Sequence, residues 1–132
     1  MKSKTLSGLR SVASALLGYM VITILTILGF RPLGNIVHLS APLRIQVLGT
    51  LVAVVAGLCG GLTAALVAGR RPVQHAAAVL LFLTIDTGIV LSRPSPDPWW
   101  FDLAGSLTLM AATVSGGVLY HLVTRTLQDH PR

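Results

Sequence analysis

Four stretches of this chain are too apolar and too long to be at home in water. Ser11–Phe30 carries no charge, and neither does Ile45–Gly69. Val73–Leu91 is broken only by His75 and Asp86, and Trp99–Val123 only by Asp102 and His121 near its ends. About 20 apolar residues in a helix cross the hydrocarbon of a bilayer. Lipid offers the backbone no hydrogen-bond partners, so each run is expected to be helical. The pattern predicts an all-α integral membrane protein: one domain, residues 1–132, of four transmembrane helices in two hairpins, at about 11–30, 45–69, 73–91 and 99–123. Composition agrees. Only 11% of residues are charged and the mean hydropathy is +0.78, against about 25% charged in soluble domains.

The connections punctuate the same scheme. Arg70-Arg71-Pro72 makes a tight second turn, and the three prolines of Ser92–Pro98 forbid helix continuation in the third. The first connection, Arg31–Arg44, is longer and holds an apolar patch (Ile36, Val37, Leu39). That patch suits either an interfacial segment or an ordered loop. The first run follows Lys2, Lys4 and Arg10 but is longer than the roughly 7–15 residues of a signal-peptide core, and no A-x-A site closes it. A retained helix is expected.

Charge then sets orientation. Ten Lys and Arg oppose four acids, all Asp, for a net charge of +6. The basic residues flank apolar runs rather than interleaving with aromatics, so nucleic acid is not the expected partner. With four spans, Lys2, Lys4, Arg10, Arg70, Arg71, Arg125 and Arg132 fall on one side and Arg31, Arg44 and Arg93 on the other. The excess of basic residues marks the cytoplasmic side. Both termini are therefore expected in the cytoplasm of a bacterial cell, the protein sitting in its plasma (inner) membrane. Trp99 and Trp100 would then belong to the outer interfacial belt and Tyr120 to the inner one.

The second run has an unusual face. Steps of four give Gly49, Ala53, Gly57, Gly61, Ala65 and Gly69, and a second row beside it gives Ala56, Gly60, Ala64 and Ala68. Residues four apart share a face, and small residues let helices approach closely in lipid. Gly57–Gly61 is a formal G-x-x-x-G. The fourth run offers Ala104, Thr108, Ala112 and Gly116, with Ala111 and Ser115 beside them, and the glycine pairs Gly60-Gly61 and Gly116-Gly117 suggest two related hairpins. Packing of the second helix on the fourth is the expected use of these faces. An oligomer seam, or a close-packed pore, is the alternative.

Residues 60–80, GGLTAALVAGRRPVQHAAAVL, resemble small four-helix bacterial integral membrane proteins of unassigned activity. The likeness is carried by Gly60, Gly61, Ala64, Ala65, Arg70, Arg71, Pro72, His75 and Ala76, with Pro98-Trp99-Trp100 and Gly116-Gly117 in the same layout. It implies architecture and no activity. LCGGLT at 58–63 also resembles the glycine–threonine stretch of bacterial fluoride channels, but AALVAG follows where that family has a phenylalanine and Ser/Thr run, and Phe30, Phe82 and Phe101 lie elsewhere. Small multidrug exporters share the size, yet they need a deep glutamate and this chain has no Glu.

Asp86 is the sharpest chemical candidate, because an ionisable group inside a span is functional by default. It lies five residues before Leu91, about 7–8 Å inside the helix end at 1.5 Å per residue. Arg93 is placed to reach back to it, and Thr84 and Thr87 offer hydrogen bonds. Its two readings are an interhelical bond and a proton or cation relay. Asp102 complements the dipole of the helix it opens, and with Asp86 would make a shallow outer cation site. His75 and His121 share a membrane level but lack the third ligand of a metal site. Cys59 reads as a buried small hydrophobe. Arg70 and Arg71 fit topology and lipid headgroups. No nucleophile with its base, phosphate loop or cysteine cluster is present, so neither an enzyme nor a cofactor is expected. The functional expectation is a structural or accessory membrane protein acting through helix–helix contact with itself or another membrane protein in the lipid bilayer. The alternative is a small channel or transporter for an ion or small solute, using Asp86.

Overall fold

The computed structural model describes residues 2–34, 37–69 and 71–128, with side chains from Arg10 onward. Four helices form: α1 (Lys2–Phe30), α2 (Leu43–Ala68), α3 (Pro72–Leu91) and α4 (Trp99–Gln128), with a short 3-10 turn at Arg31–Leu33 and no strand among the described residues. Each helix is long and apolar enough to cross a membrane. The protein is thus all-α with four candidate spans. α1 starts well before Ser11, and α4 runs past Val123 to Gln128. The apolar runs mark what suits lipid, while the helix continues through the flanking polar residues because nothing there breaks it.

Helix ends follow local chemistry. Pro32 sits at the start of the 3-10 turn and Gly34 closes it at φ 91°. Pro42 precedes α2, and Gly69 ends it at φ 68°, its amide donating to the Ala65 carbonyl. Arg71 also adopts a left-handed φ, 51°, which costs a non-glycine residue about 1 kcal/mol or more. Its carbonyl repays that geometry by accepting from the Gln74 and His75 amides at 3.0 and 3.3 Å. Pro72 then opens α3 where no donor is required.

The helices pack around a rhombus in the order α1–α2–α4–α3, with α2 also touching α3 across the short diagonal. α2 and α4 run parallel: Gly57 lies against Leu109 and Ala112, Gly61 against Thr113, and Gly116 against Leu58 and Leu62. α1 runs antiparallel to α2, with Gly29 on Val52, Gly60 on Ile22 and Gly18 on Ala64. The end holding the α2–α3 turn is called proximal here; the end holding the other two connections is distal.

The core occupies the proximal half. Ala15, Ile22, Ala64, Val79 and Leu83 form its buried cluster, with Tyr19 and Phe82 stacked at 5.5 Å beside it. Buried positions on α3 end at Leu83, and on α4 they begin only at Ala112. In α2 all but Gly49 lie from Ala56 onward. Of the most apolar stretch of α2, 39% is buried, against 17–22% for the other three helices. α2 is the hub and the others mostly face outward.

A Cβ at Gly61 would run into the Thr113 backbone carbonyl, whereas one at Gly88 would meet nothing. Gly61→Ala is therefore expected to cost about 3 kcal/mol or more by overpacking, because backbone cannot step aside as a side chain can. Gly88→Ala should be neutral or stabilising within about 1 kcal/mol. Denaturant titrations of both variants in one bilayer mimic check the contrast.

Candidate functional site

The small residues singled out in α2 serve two neighbours. Gly57 and Gly61 meet α4, while Gly60 and Ala64 meet α1 at Gly18 and Ile22. In α4 the second pair divides in the same manner, Gly116 against α2 and Gly117 against Ala76 of α3. Ala65 is fully buried and Ala53 half-buried. Gly49 is covered by Val37 and Phe30. On α4 the expected row holds at Ala112 and Gly116, both buried against α2, but not throughout. Ala104, Ala111 and Ser115 are exposed, and Thr113, outside that row, is fully buried. The offset arises because α4 must turn Gly116 to α2 and Gly117 to α3 at once.

The proximal end is laced by α1. The Arg10 Nε donates to the Val67 carbonyl at 2.9 Å, placing a cation on the negative end of the α2 dipole. His75 Nε2 lies 3.0 Å from Ser11 Oγ, and its Nδ1 donates to the Arg71 carbonyl at 3.1 Å. That carbonyl can only accept, so Nδ1 carries the hydrogen. Arg71 is exposed and Arg70 lies outside the described residues. His121 is exposed, and no three His, Cys, Asp or Glu among the described residues are grouped to hold a metal.

The distal end holds a contact that links the first and third connections. The His38 Nδ1 donates to Asp97 Oδ2 at 2.8 Å, and the Leu39 amide donates to Asp97 Oδ1 at 3.0 Å. Gln46 braces the same loop from α2, its Nε2 donating to the Leu39 and Ala41 carbonyls at 2.8 and 2.9 Å. The first connection is thus an ordered loop, with Val37 over Gly49; Ile36 lies outside the described residues. The Asp97 side chain is 10% exposed and that of His38 40%. The His38 hydrogen bond, and then the Leu39 amide, hold the Asp97 carboxyl below its ordinary value. A shallow cleft of about 580 Å³ lies here between His38, Leu39, Ser40 and Pro96–Pro98.

Sequence reasoning passed over His38 and Asp97. The available signal was topological: with four spans, the first and third connections share a side, and a histidine in one faces an aspartate in the other.

Among the described residues Asp86 does not make the interhelical bond that is one of its two expected roles. It follows Val79 by seven residues and Leu83 by three, which puts it on the same side of α3 as those buried residues. Yet Asp86 is exposed, as are Ile85, Gly88, Ile89 and Val90, while Thr87, four residues beyond Leu83, is half-buried. It makes no hydrogen bond or ion pair among the described residues. Arg93 does not reach back to it. Arg93 lines a small distal cleft of about 180 Å³ with Asp97, Trp99 and Asp102. Asp102 therefore keeps company with Asp97 and Arg93 rather than with Asp86. Thr84 and Thr87 spend their hydroxyls on the carbonyls of their own helix, Leu80 and Leu83, at 2.7 Å each. Trp99 and Trp100 are exposed at the distal end of α4, Trp100 edge-on to Phe101.

No protein-family model, curated protein or solved structure matches this chain.

Because the folded Asp97 pKa lies below the ordinary 3.8, its contribution is fully present above that value and is lost as pH falls through the lower, folded one. The Leu39 amide should accordingly stay protected from hydrogen exchange from neutral pH down to about 4, losing protection only in stronger acid. Asp97→Ala should remove that protection at neutral pH while leaving the amides of Ala64 and Val79 slow. Amide exchange read by mass spectrometry across the pH series checks both.

Proposed function

We propose that this chain is a multi-pass protein of a bacterial plasma membrane, with both termini cytoplasmic. It works as a structural or accessory component through helix–helix contact, and not as an enzyme. The observation that carries this reading is the interior. The bundle is filled by Ala, Gly, Ile, Val and Leu, and its two buried polar residues among the described ones are Ser14 and Thr113. Their hydroxyls donate to the Ser11 and Leu109 carbonyls of their own helices, at 2.8 Å each. Among the described residues the one buried side-chain polar atom left without a partner is the Thr26 hydroxyl, and a single hydroxyl is too little to coordinate a solute. The outward faces, by contrast, are broad, apolar and unclaimed, suited to lipid and to other helices.

Orientation is supported by the basic residues. Arg10 and Arg71 sit at the proximal end and Arg31, Arg44 and Arg93 distally, and in the sequence Lys2, Lys4, Arg70, Arg125 and Arg132 flank the spans on the side of Arg10 and Arg71. The proximal end is then cytoplasmic. The bacterial assignment is supported by the likeness of residues 60–80 to small four-helix bacterial membrane proteins.

The channel or transporter reading would need Asp86 to face an enclosed path. In one chain it is exposed rather than enclosed, so an enclosed path past it would require further copies. Proteoliposomes loaded with a pH-sensitive dye, or a potassium gradient, separate the readings. The expected result is no flux above protein-free vesicles, and no difference between wild type and Asp86→Asn. Flux that Asp86→Asn abolishes overturns the accessory reading. Cytoplasm-specific reporters fused at either terminus should both be active in cells, and one inactive fusion reverses the orientation.

A further inference from the structure

We infer that the distal half of α3, centred on Asp86, is the docking face for a transmembrane helix of a different membrane protein, one that carries a basic side chain (Lys, Arg or His) at the depth of Asp86. The inference deepens the accessory reading above and names the chemistry of the partner.

Three observations converge on it. First, Asp86 lies within the α3 span, five residues from its distal end, where hydrocarbon offers a carboxylate neither water nor hydrogen bonds. Second, it lies on the side of α3 that Val79 and Leu83 bury lower down, yet the chain leaves it uncovered and without a partner among the described residues. Around it Ile89 and Val90 are 45% and 39% exposed, an apolar rim about a single acid. Third, α1 runs beside α3 through the Tyr19–Phe82 stack, and its buried positions end at Ile22, so the core between the two helices stops short of Asp86.

Charge decides the occupant. Within this chain Arg10 is engaged at the proximal end, and His75 is held there by Ser11 and Arg71. Arg31 and Arg44 flank the first connection, and Arg93 stands in the distal cleft with Asp97 and Asp102. No cation of the described residues lies at the depth of Asp86. A second copy in the same orientation repeats these positions, so meeting along this face would set carboxylate against carboxylate. A like pair costs energy where a basic group would gain it. The complementary surface is hence a foreign helix with a base at that depth, the pairing by which buried charges are tolerated in lipid.

The test uses the full chain in lipid vesicles with a synthetic leucine–alanine transmembrane helix. One version of the probe carries a single lysine five residues inside its distal end and the other a leucine there, each bearing an energy-transfer acceptor. The wild-type protein should prefer the lysine helix by at least about tenfold. Asp86→Leu should erase the preference while the helical circular dichroism stays unchanged, and Asp86→Lys should transfer it to a probe carrying aspartate. Equal association with both probes, or a preference that survives Asp86→Leu, overturns the inference. So does a disulfide between two copies of Asp86→Cys in a Cys59→Ala background, since that makes the occupant a second copy. These results leave the accessory reading standing if the vesicles stay silent to ions. Flux dependent on Asp86 would instead bring down that reading itself.

Discussion

Everything in this bundle depends on how closely α2 approaches its neighbours. In lipid no hydrophobic drive pushes helices together, so contact must come from packing and from backbone proximity. α2 meets that requirement with a surface almost free of side chains. Gly57 and Gly61 take α4, and Gly60 with Ala64 takes α1 through Gly18 and Ile22. The approach is close enough that carbonyls rather than side chains are the nearest atoms at Gly18, Gly61 and Gly116. Large residues such as Leu51, Val55 and Leu66 are left on the outside, where they suit lipid and do nothing for the core.

That arrangement concentrates packing at one end. The glycines lie toward the proximal half of α2, and the buried positions of α1 and α3 follow them there. Beyond this zone the helices are held by connections instead of by core. Asp97 receives the His38 ring and the Leu39 amide, and Gln46 fixes the same loop to α2. Proximally, Arg10 and Ser11 tie α1 to the α2–α3 turn. The molecule is thus a tight proximal core with a polar clasp across its distal mouth, and the lightly packed region lies between them.

Asp86 falls in that intermediate region and is exposed there, whereas its neighbour Thr87 is half-buried. Were α1 and α4 packed as closely there as they are beside Gly18 and Gly117, the acid would be buried and would need a partner from its own chain. The glycine-driven core stops short of it, so the demand for a partner passes outside the chain. The same geometry weakens the case for conduction through one copy, because the group that would serve as relay is exposed rather than enclosed.

The sequence determined the fold class directly. Four uncharged or nearly uncharged runs of membrane-crossing length admit only helices, since lipid supplies no partner for an unpaired backbone. It also exposed the bare face of α2, because helical periodicity alone brings Gly57, Gly61 and Ala65 into line. What it did not reveal was where α4 would turn, which placed Thr113 in the interior and left Ala111 and Ser115 outside. It likewise gave no sight of His38 on Asp97, which are 59 residues apart, since that contact exists only once two connections are brought to the same end. Nor did it disclose that Arg93 would leave Asp86 alone. Local spacing reports which residues share a face of one helix. Which face meets which neighbour, and where the cover ends, is decided by the packing of four helices at once, and only the tertiary structure holds that information.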